Sequence, residues 1–362
     1  MSRTLFEQKW LAIAPKPFSL LSILGSGYIL QHIFRKKERR TQVYHRILIG
    51  LSIYDIIMSF TFFWGTWAVP VGTPEVFLAS GTQQTCNAQA FLQQLGVATP
   101  IYTAELAIYY FLVISAGWKE ERLKKIEIIV HIIPSAFAFA SSIVGIVTNS
   151  FESSILWCWY GPDSNNFRFG FFYGPLWFCI VLVCILMSAI YVKVLMQERR
   201  VKKYQHHQPT QINVGETTDS AATTASKKKK QKERKKASAS RRIADQAIFY
   251  SGSFFITWLF PTWARIDEMV NPGKNTPFAI EVLFTILTPL QGLFNVFVYF
   301  RPKYLHYKHQ HPDFSICRFI YHRGMMRKSS IVSRGSAYRS NTNPADINES
   351  KRSYMRRFVS NK

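Results

Sequence analysis

Two carboxylates stand inside long apolar stretches of the sequence. Asp55 lies in LSIYDIIMSF and Glu105 lies in IYTAELAIYY. An aspartate in the middle of a lipid bilayer costs about 2.5–3.5 kcal/mol on insertion scales, so such residues point into a helix bundle and are rarely idle. Each is either a structural polar contact with neighbouring helices or part of a conformational switch. The residue types alone leave both roles open.

Two amides occupy another apolar stretch, PLQGLFNVFVYFRPKY, which covers residues 289–304. Gln291 and Asn295 are four residues apart, so they share one face of a helix, and Tyr299 continues that face. We expect this polar stripe to face Asp55. The second and seventh helices of a bundle would then share a buried hydrogen-bond network.

A tryptophan and a proline are close together in FITWLFPTW. A proline inside a helix removes one backbone hydrogen bond and bends the helix, and neighbouring helices can compensate for this in a membrane bundle. Trp258 places a bulky side chain beside Pro261. This pair predicts a hinge in the sixth helix.

Three histidines in LHYKHQHPD, His306, His309 and His311, have a spacing that suits a metal ion. Asp313 is the only nearby carboxylate and no cysteine is close, which favours a solvated helix at the membrane surface. We find no nucleophile–base arrangement elsewhere. The sequence therefore predicts neither an enzyme nor a cofactor.

The elements that position these residues are long and apolar. The 362 residues are 48% apolar although they include 45 Lys and Arg, and the two classes are segregated along the chain. A membrane-spanning helix needs about 20 apolar residues. Seven windows meet this need: 17–34, 47–71, 88–116, 126–147, 169–195, 244–265 and 277–300.

Orientation follows from the distribution of positive charge. The loops 35–46, 119–125 and 199–242 and the tail 301–362 contain 38 of the Lys and Arg residues, whereas the opposite side has six. Positive residues accumulate on the cytoplasmic side, so the N-terminus is expected outside. Attraction to anionic lipid then explains the net charge of +24 without nucleic acid as a partner.

Cysteine positions agree with this topology. Cys86 and Cys158 fall in predicted outside segments, where a disulfide persists and contributes about 2–4 kcal/mol. Cys179 and Cys184 are expected to be ordinary residues of the fifth helix. Cys317 follows the last helix on the cytoplasmic side and is either palmitoylated or a free thiol.

The chain divides into a short outer segment, 1–16, a helix bundle with an interfacial helix, 17–311, and a flexible basic tail, 312–362. Inside the bundle, 196–243 combines ETTDSAATTAS with KKKKQKERKK, a composition typical of a disordered loop. RKSSIVSRGS in the tail presents Ser329, Ser330 and Ser333 beside basic residues. The tail is either a kinase substrate or an unmodified solvated segment.

These features together resemble the G-protein-coupled receptors over about residues 17–311. The third helix opens at Cys86, Cys158 is its expected partner in LWCWYGP, and LSIYD resembles the second-helix motif of rhodopsin-like receptors. CNAQAFLQQLG, LAIYYFLVI, FITWLFPT and PLQGLFNVFVYFRPKYL are similar to the cyclic-AMP-receptor-like and secretin-like branch. No Asp-Arg-Tyr triplet ends the third helix, so the ionic latch of rhodopsin-like receptors does not carry over. No lysine in the seventh helix could hold retinal.

The resemblance implies an all-α, seven-transmembrane bundle in the plasma membrane. It also implies an extracellular ligand in the outer half of the bundle and a cytoplasmic heterotrimeric G protein as partner. Ligand binding would repack the helices around Trp258 and the Asp55/Asn295 network. A multispan secondary transporter is the alternative, although the internal repeats common in transporters are missing.

Overall fold

The computed structural model describes residues 3–153, 156–206, 220–271 and 276–310. Residues Met1–Pro302 form one compact unit, and Lys303–Lys362 form a second. The main helices are α1 (Leu5–Ile13), α2 (Pro15–Phe34), α3 (Lys37–Arg40), α4 (Val43–Trp64), α5 (Gln83–Leu95), α6 (Ala98–Ile114), α7 (Glu120–Val147), α8 (Asn165–Arg168), α9 (Gly174–His206), α10 (Ser220–Val270), α11 (Phe278–Leu287) and α12 (Gln291–Gln310).

The helices confirm the predicted membrane bundle. In the described residues, six helical stretches are long and apolar enough to cross a membrane: Leu5–Phe34, Val43–Ala68, Gln83–Ile114, Glu120–Val147, Pro162–Val201 and Phe278–His309. The predicted sixth window, 244–265, lies within α10. Its Ser, Thr, Tyr and Trp residues make it less apolar than the other six windows. Each of the seven predicted windows is therefore largely helical.

The first and last spans approach closely through small residues. Ser22, Gly25 and Ser26 of α2 are buried. A Cβ atom added to Gly292 of α12 would lie only 2.2 Å from Ser26 Oγ and 2.6 Å from Ser22 Oγ. Lipid tails are as apolar as leucine, so close backbone packing of this kind holds membrane helices together.

The outward face of the bundle is apolar. Ile128, Ile129, Ile132 and Ile133 of α7 are all more than half exposed. Exposed isoleucines on consecutive turns suit lipid rather than water. The core lies on the opposite side of the same helices.

The outer end contains two elements that were not predicted from the sequence, a β-hairpin and a short helix. Strands β1 (Phe151–Ser153) and β2 (Cys158–Tyr160) pair antiparallel, with Phe151 opposite Tyr160. The segment 1–16, predicted only as a short outer N-terminus, contains α1. This helix begins with a capping box in which the side chains of Thr4 and Glu7 bind each other's backbone N–H groups.

The helices α9 and α10 extend into 196–243, which the sequence predicted to be disordered. Helix occupies 196–206 and 220–243, while 207–219 lie outside the described residues. The difference has a physical reason, since Ala, Lys, Gln, Glu and Arg dominate these flanks and all are strong helix formers. The interfacial helix predicted after the seventh span is formed by α12, which continues past Pro302 to Gln310. Its placement at the membrane surface stays a prediction.

Candidate functional site

The predicted disulfide between Cys86 and Cys158 is present. It joins the first turns of α5 to β2, with a Cα–Cα distance of 5.2 Å. Both cysteines are fully buried. The bridge therefore fixes the hairpin over the outer end of the helices.

Two glutamines of α5 add to this attachment. Gln89 accepts a hydrogen bond from the Cys158 backbone N–H at 2.8 Å and donates to the Gly65 carbonyl at 2.8 Å. Gln94 accepts from the Trp159 indole N–H at 3.0 Å and donates to the Phe171 carbonyl at 2.9 Å. Gln94 thus sets the orientation of the Trp159 ring.

A cavity of about 420 Å³ opens at this end of the bundle. Its lining comes from the N-terminal segment, the loop that contains residues 73–76, the β-hairpin, the start of the fifth span and the outer parts of α10 and α11. The aromatic part of the lining is Trp157, Trp159, Tyr160, Tyr173 and Phe284. Its volume falls within the range of small-molecule sites.

Three arginines and three glutamates also line the cavity. Arg3 pairs with Glu281. Arg168 and Arg265 both pair with Glu268, at 3.1 Å and 2.7 Å. One carboxylate therefore serves two guanidinium groups. The third acid, Glu152 of β1, is exposed.

The arginines are more deeply buried than most of the acids. The Arg265 side chain is 5% exposed, whereas that of Glu268 is 47% exposed. Within the described residues, Arg265 Nε and Arg3 Nη1 are buried without a hydrogen-bond partner. A buried cation that lacks full pairing is costly, which makes an incoming anion favourable at this position.

Aromatic contacts lead from the cavity to the predicted hinge. The ring of Trp159 lies 5.2 Å from that of Phe172, edge to face, and Phe172 lies 5.6 Å from Trp258. Phe172 belongs to a π-helical turn that precedes α9. Trp258 is 3% exposed and lies three residues before Pro261, which is inside α10. Two ring contacts thus link the cavity to Trp258, beside the predicted hinge at Pro261.

The predicted polar network between the second and seventh spans is present as hydrogen bonds. Asn295 Nδ2 donates to Asp55 Oδ2 at 2.8 Å, and Thr99 Oγ1 donates to Asp55 Oδ1 at 3.5 Å. Gln291 Nε2 donates to Asn295 Oδ1 at 3.3 Å. Thr257 Oγ1 of α10 donates to Gln291 Oε1. The network therefore connects the second, third, sixth and seventh spans.

The remaining predicted switch residues lie apart from these bonds. The ring of Tyr299 is edge-on to His32 and His45, at 5.7 Å and 5.9 Å between centroids. Glu105 lies on α6, where its Oε2 is buried without a hydrogen-bond partner among the described residues. The Trp258 ring contacts Phe172 rather than Asp55 or Asn295 in the described contacts. Cys317, Ser329, Ser330 and Ser333 lie outside the described residues.

Several residues of the site were not predicted from the sequence. Gln89 and Gln94 belong to CNAQAFLQQLG, a motif used only for its resemblance. Arg3 meets Glu281 across 278 residues of sequence, a separation that no local pattern predicts. Thr257 gave no signal because a threonine in an apolar window is common.

Comparison with known proteins agrees with this architecture. The family described as slime mold cyclic AMP receptor matches residues 23–213, more than half of the 362 residues. The ascaroside receptor GPR3 of Arthrobotrys oligospora is 23% identical over 352 residues, which cover 81% of this chain and 85% of that receptor. The ascaroside receptor GPR2 of the same organism is 25% identical over 195 residues, covering 51% of this chain and 44% of that receptor.

The fold is also similar to that of a solved structure. Squid rhodopsin superposes with a TM-score of 0.58 at 15% identity, covering 86% of this chain and 82% of that chain. From the family match and the seven-helix bundle closed by Cys86–Cys158, we conclude that this chain belongs to the slime mold cyclic AMP receptor family of G-protein-coupled receptors.

Proposed function

We propose that this receptor binds a small anionic ligand in the outer cavity and activates a cytoplasmic heterotrimeric G protein. The observation that carries the proposal is the buried pair Arg168 and Arg265, which share the half-exposed Glu268. An anionic group beside Arg265 would complete the pairing of two desolvated guanidinium groups. The aromatic lining would hold an apolar or planar body.

Ligand binding is proposed to act through the ring contacts below the cavity. Moving Trp159 or Phe172 would change the packing of Trp258, and the neighbouring Thr257 is bonded to Gln291. The Asp55–Asn295–Gln291 bonds would then exchange between two arrangements. A ligand with higher affinity for one arrangement shifts the population toward it, and a G protein that prefers the same arrangement is activated.

Two names suggest the first ligands to test. The family description names cyclic AMP, which has one negative phosphodiester, and both relatives are named ascaroside receptors. The experiment measures nucleotide exchange on purified G proteins with the receptor in nanodiscs. The library pairs each acid with its neutral amide or ester.

We expect activation by an acid and loss of activation by its neutral partner. Arg265→Gln should raise the half-maximal concentration at least tenfold, because a buried charged contact is worth about 1.5–3 kcal/mol. The control is Lys9→Gln, which removes an exposed outer charge away from the cavity lining. Equal potency of acids and neutral partners would refute the anionic ligand, and saturable solute flux without exchange would favour the transporter.

A further inference from the structure

A cluster of tyrosines joins three spans at the end of the bundle opposite the cavity. Tyr44 is the second residue of α4, Tyr110 lies four residues before the end of α6, and Tyr250 lies on α10. Tyr110 and Tyr250 are 3% and 2% exposed. The basic segment 35–46 includes the start of α4 and the basic segment 119–125 follows the end of α6, and the charge distribution predicts these ends to be cytoplasmic.

The cluster is held by hydroxyl contacts and by ring contacts. The hydroxyl groups of Tyr44 and Tyr250 are 3.3 Å apart, and Gln246 Nε2 donates to the Tyr44 hydroxyl at 2.7 Å. The Tyr110 ring is stacked on Tyr250 at 6.5 Å and lies 6.0 Å from Tyr44. α10 therefore contributes both Gln246 and Tyr250 to a contact with the second and third spans.

A residue next to Tyr250 on α10 makes a separate contact with the seventh span. The Arg301 guanidinium lies over the Phe249 ring at 3.9 Å. Phe249 precedes Tyr250, so α10 is held from the seventh span as well.

The cluster lies far along α10 from the predicted hinge at Pro261. Tyr250 is 11 residues from Pro261, or about 16 Å along a helix that rises 1.5 Å per residue. A change of about 20° in the bend at Pro261 would move Tyr250 by about 6 Å. Hydrogen bonds do not survive such a displacement, so the hinge cannot open by this angle while the cluster is intact.

We infer that Tyr44, Tyr250 and Gln246 form a hydroxyl latch that holds the cytoplasmic part of α10 closed in the resting receptor. The latch consists of neutral hydrogen bonds. Its strength is consequently insensitive to salt. The latch itself is a set of contacts between helices. Only its effect on nucleotide exchange rests on the proposed function.

The test measures the distance between spin labels on Arg242→Cys of α10 and Lys124→Cys of α7, both exposed positions, in nanodiscs without ligand. Cys179, Cys184 and Cys317 are first replaced by Ala. Tyr44→Phe and Tyr250→Phe remove a hydroxyl and keep the ring. One hydrogen bond contributes about 0.5–1.5 kcal/mol, so each variant should increase the ratio of the long-distance to the short-distance population two- to tenfold.

Gln246→Leu provides a second route to the same result and should increase the ratio over the same range. Tyr54→Phe of α4, outside the cluster, is the matched control and should leave the ratio unchanged. An unchanged ratio in Tyr44→Phe, Tyr250→Phe and Gln246→Leu would overturn the latch, as would an equal increase in Tyr54→Phe. Ligand-free nucleotide exchange is measured on the same samples. A raised ratio without raised exchange would support the latch and contradict the proposed G-protein function.

Discussion

The bond between Asp55 and Asn295 is the contact whose energy can be predicted most closely. Asn295→Leu leaves Asp55 Oδ2 without its donor at 2.8 Å, and Thr99 does not replace this donor, because it bonds the other oxygen, Oδ1, at 3.5 Å. Asp55→Leu leaves the Asn295 amide without its acceptor. Both residues are at most 2% exposed, so water does not replace either partner.

Each single variant should lower the free energy of unfolding by about 1–3 kcal/mol, the cost of a buried group left without a partner. The double variant should cost less than the sum of the two, because it removes both polar groups together. Hydrogen bonds between membrane helices contribute about 0.6 kcal/mol on average and about 1.7 kcal/mol at most. We therefore expect a coupling energy of about 0.6–1.7 kcal/mol.

The assay is equilibrium unfolding of the receptor in mixed micelles with increasing SDS, followed by tryptophan fluorescence. All four members of the double-mutant cycle are measured under one condition. The control cycle pairs Asn295→Leu with Thr103→Val, because Thr103 donates only to the Thr99 carbonyl of its own helix at 3.0 Å in the described contacts. Strict additivity of Asp55→Leu and Asn295→Leu would refute the buried network.

Three further predictions concern the outer disulfide, the packing of the first and last spans and the aromatic contacts below the cavity. Cys86→Ser opens a loop of 72 residues and should lower the free energy of unfolding by about 4 kcal/mol, because the unfolded chain gains conformational entropy. An unfolding temperature of the unsubstituted receptor that is the same with and without reductant would count against this. Gly292→Ala should lower the free energy of unfolding by about 1–3 kcal/mol, because its Cβ would lie 2.2 Å from Ser26 Oγ. Gly27→Ala is the control, because its Cβ meets nothing within 4 Å. Equal unfolding temperatures of the two variants would contradict the close approach. Phe172→Leu should reduce agonist potency in nucleotide exchange up to tenfold at unchanged agonist binding, since each aromatic contact contributes about 0.5–1.5 kcal/mol. Phe178→Leu, on the 68% exposed Phe178 of α9, should not, and equal losses in both would argue against the path through Phe172.

Much of the bundle could be predicted because the bilayer restricts what a chain can do. Length and apolarity locate the spans. The cost of a buried acid and the i to i+4 spacing together point to the pairing of Asp55 with Asn295. The outer position of Cys86 and Cys158 likewise predicts their bridge. These inferences need only local sequence and one membrane constraint.

The remaining features depend on contacts between distant segments. The strands β1 and β2 have three residues each, too few for an alternating pattern to be recognised. Arg3 reaches the cavity only because the N-terminal segment packs near α11. Tyr44 and Tyr250 are 206 residues apart, and a tyrosine near a helix end is equally typical of the membrane interface. The sequence therefore contained the latch residues without indicating that they meet.

In the proposed function, the outer cavity and the cytoplasmic face share one conformational equilibrium. The most direct test is the affinity of an agonist from the exchange screen, measured by equilibrium binding to receptor in nanodiscs with and without nucleotide-free G protein. Linkage requires each partner to strengthen the binding of the other by the same factor. We predict that the G protein raises agonist affinity about 5- to 150-fold and that excess GTPγS abolishes the gain. An agonist affinity that is identical with and without G protein would contradict this shared equilibrium.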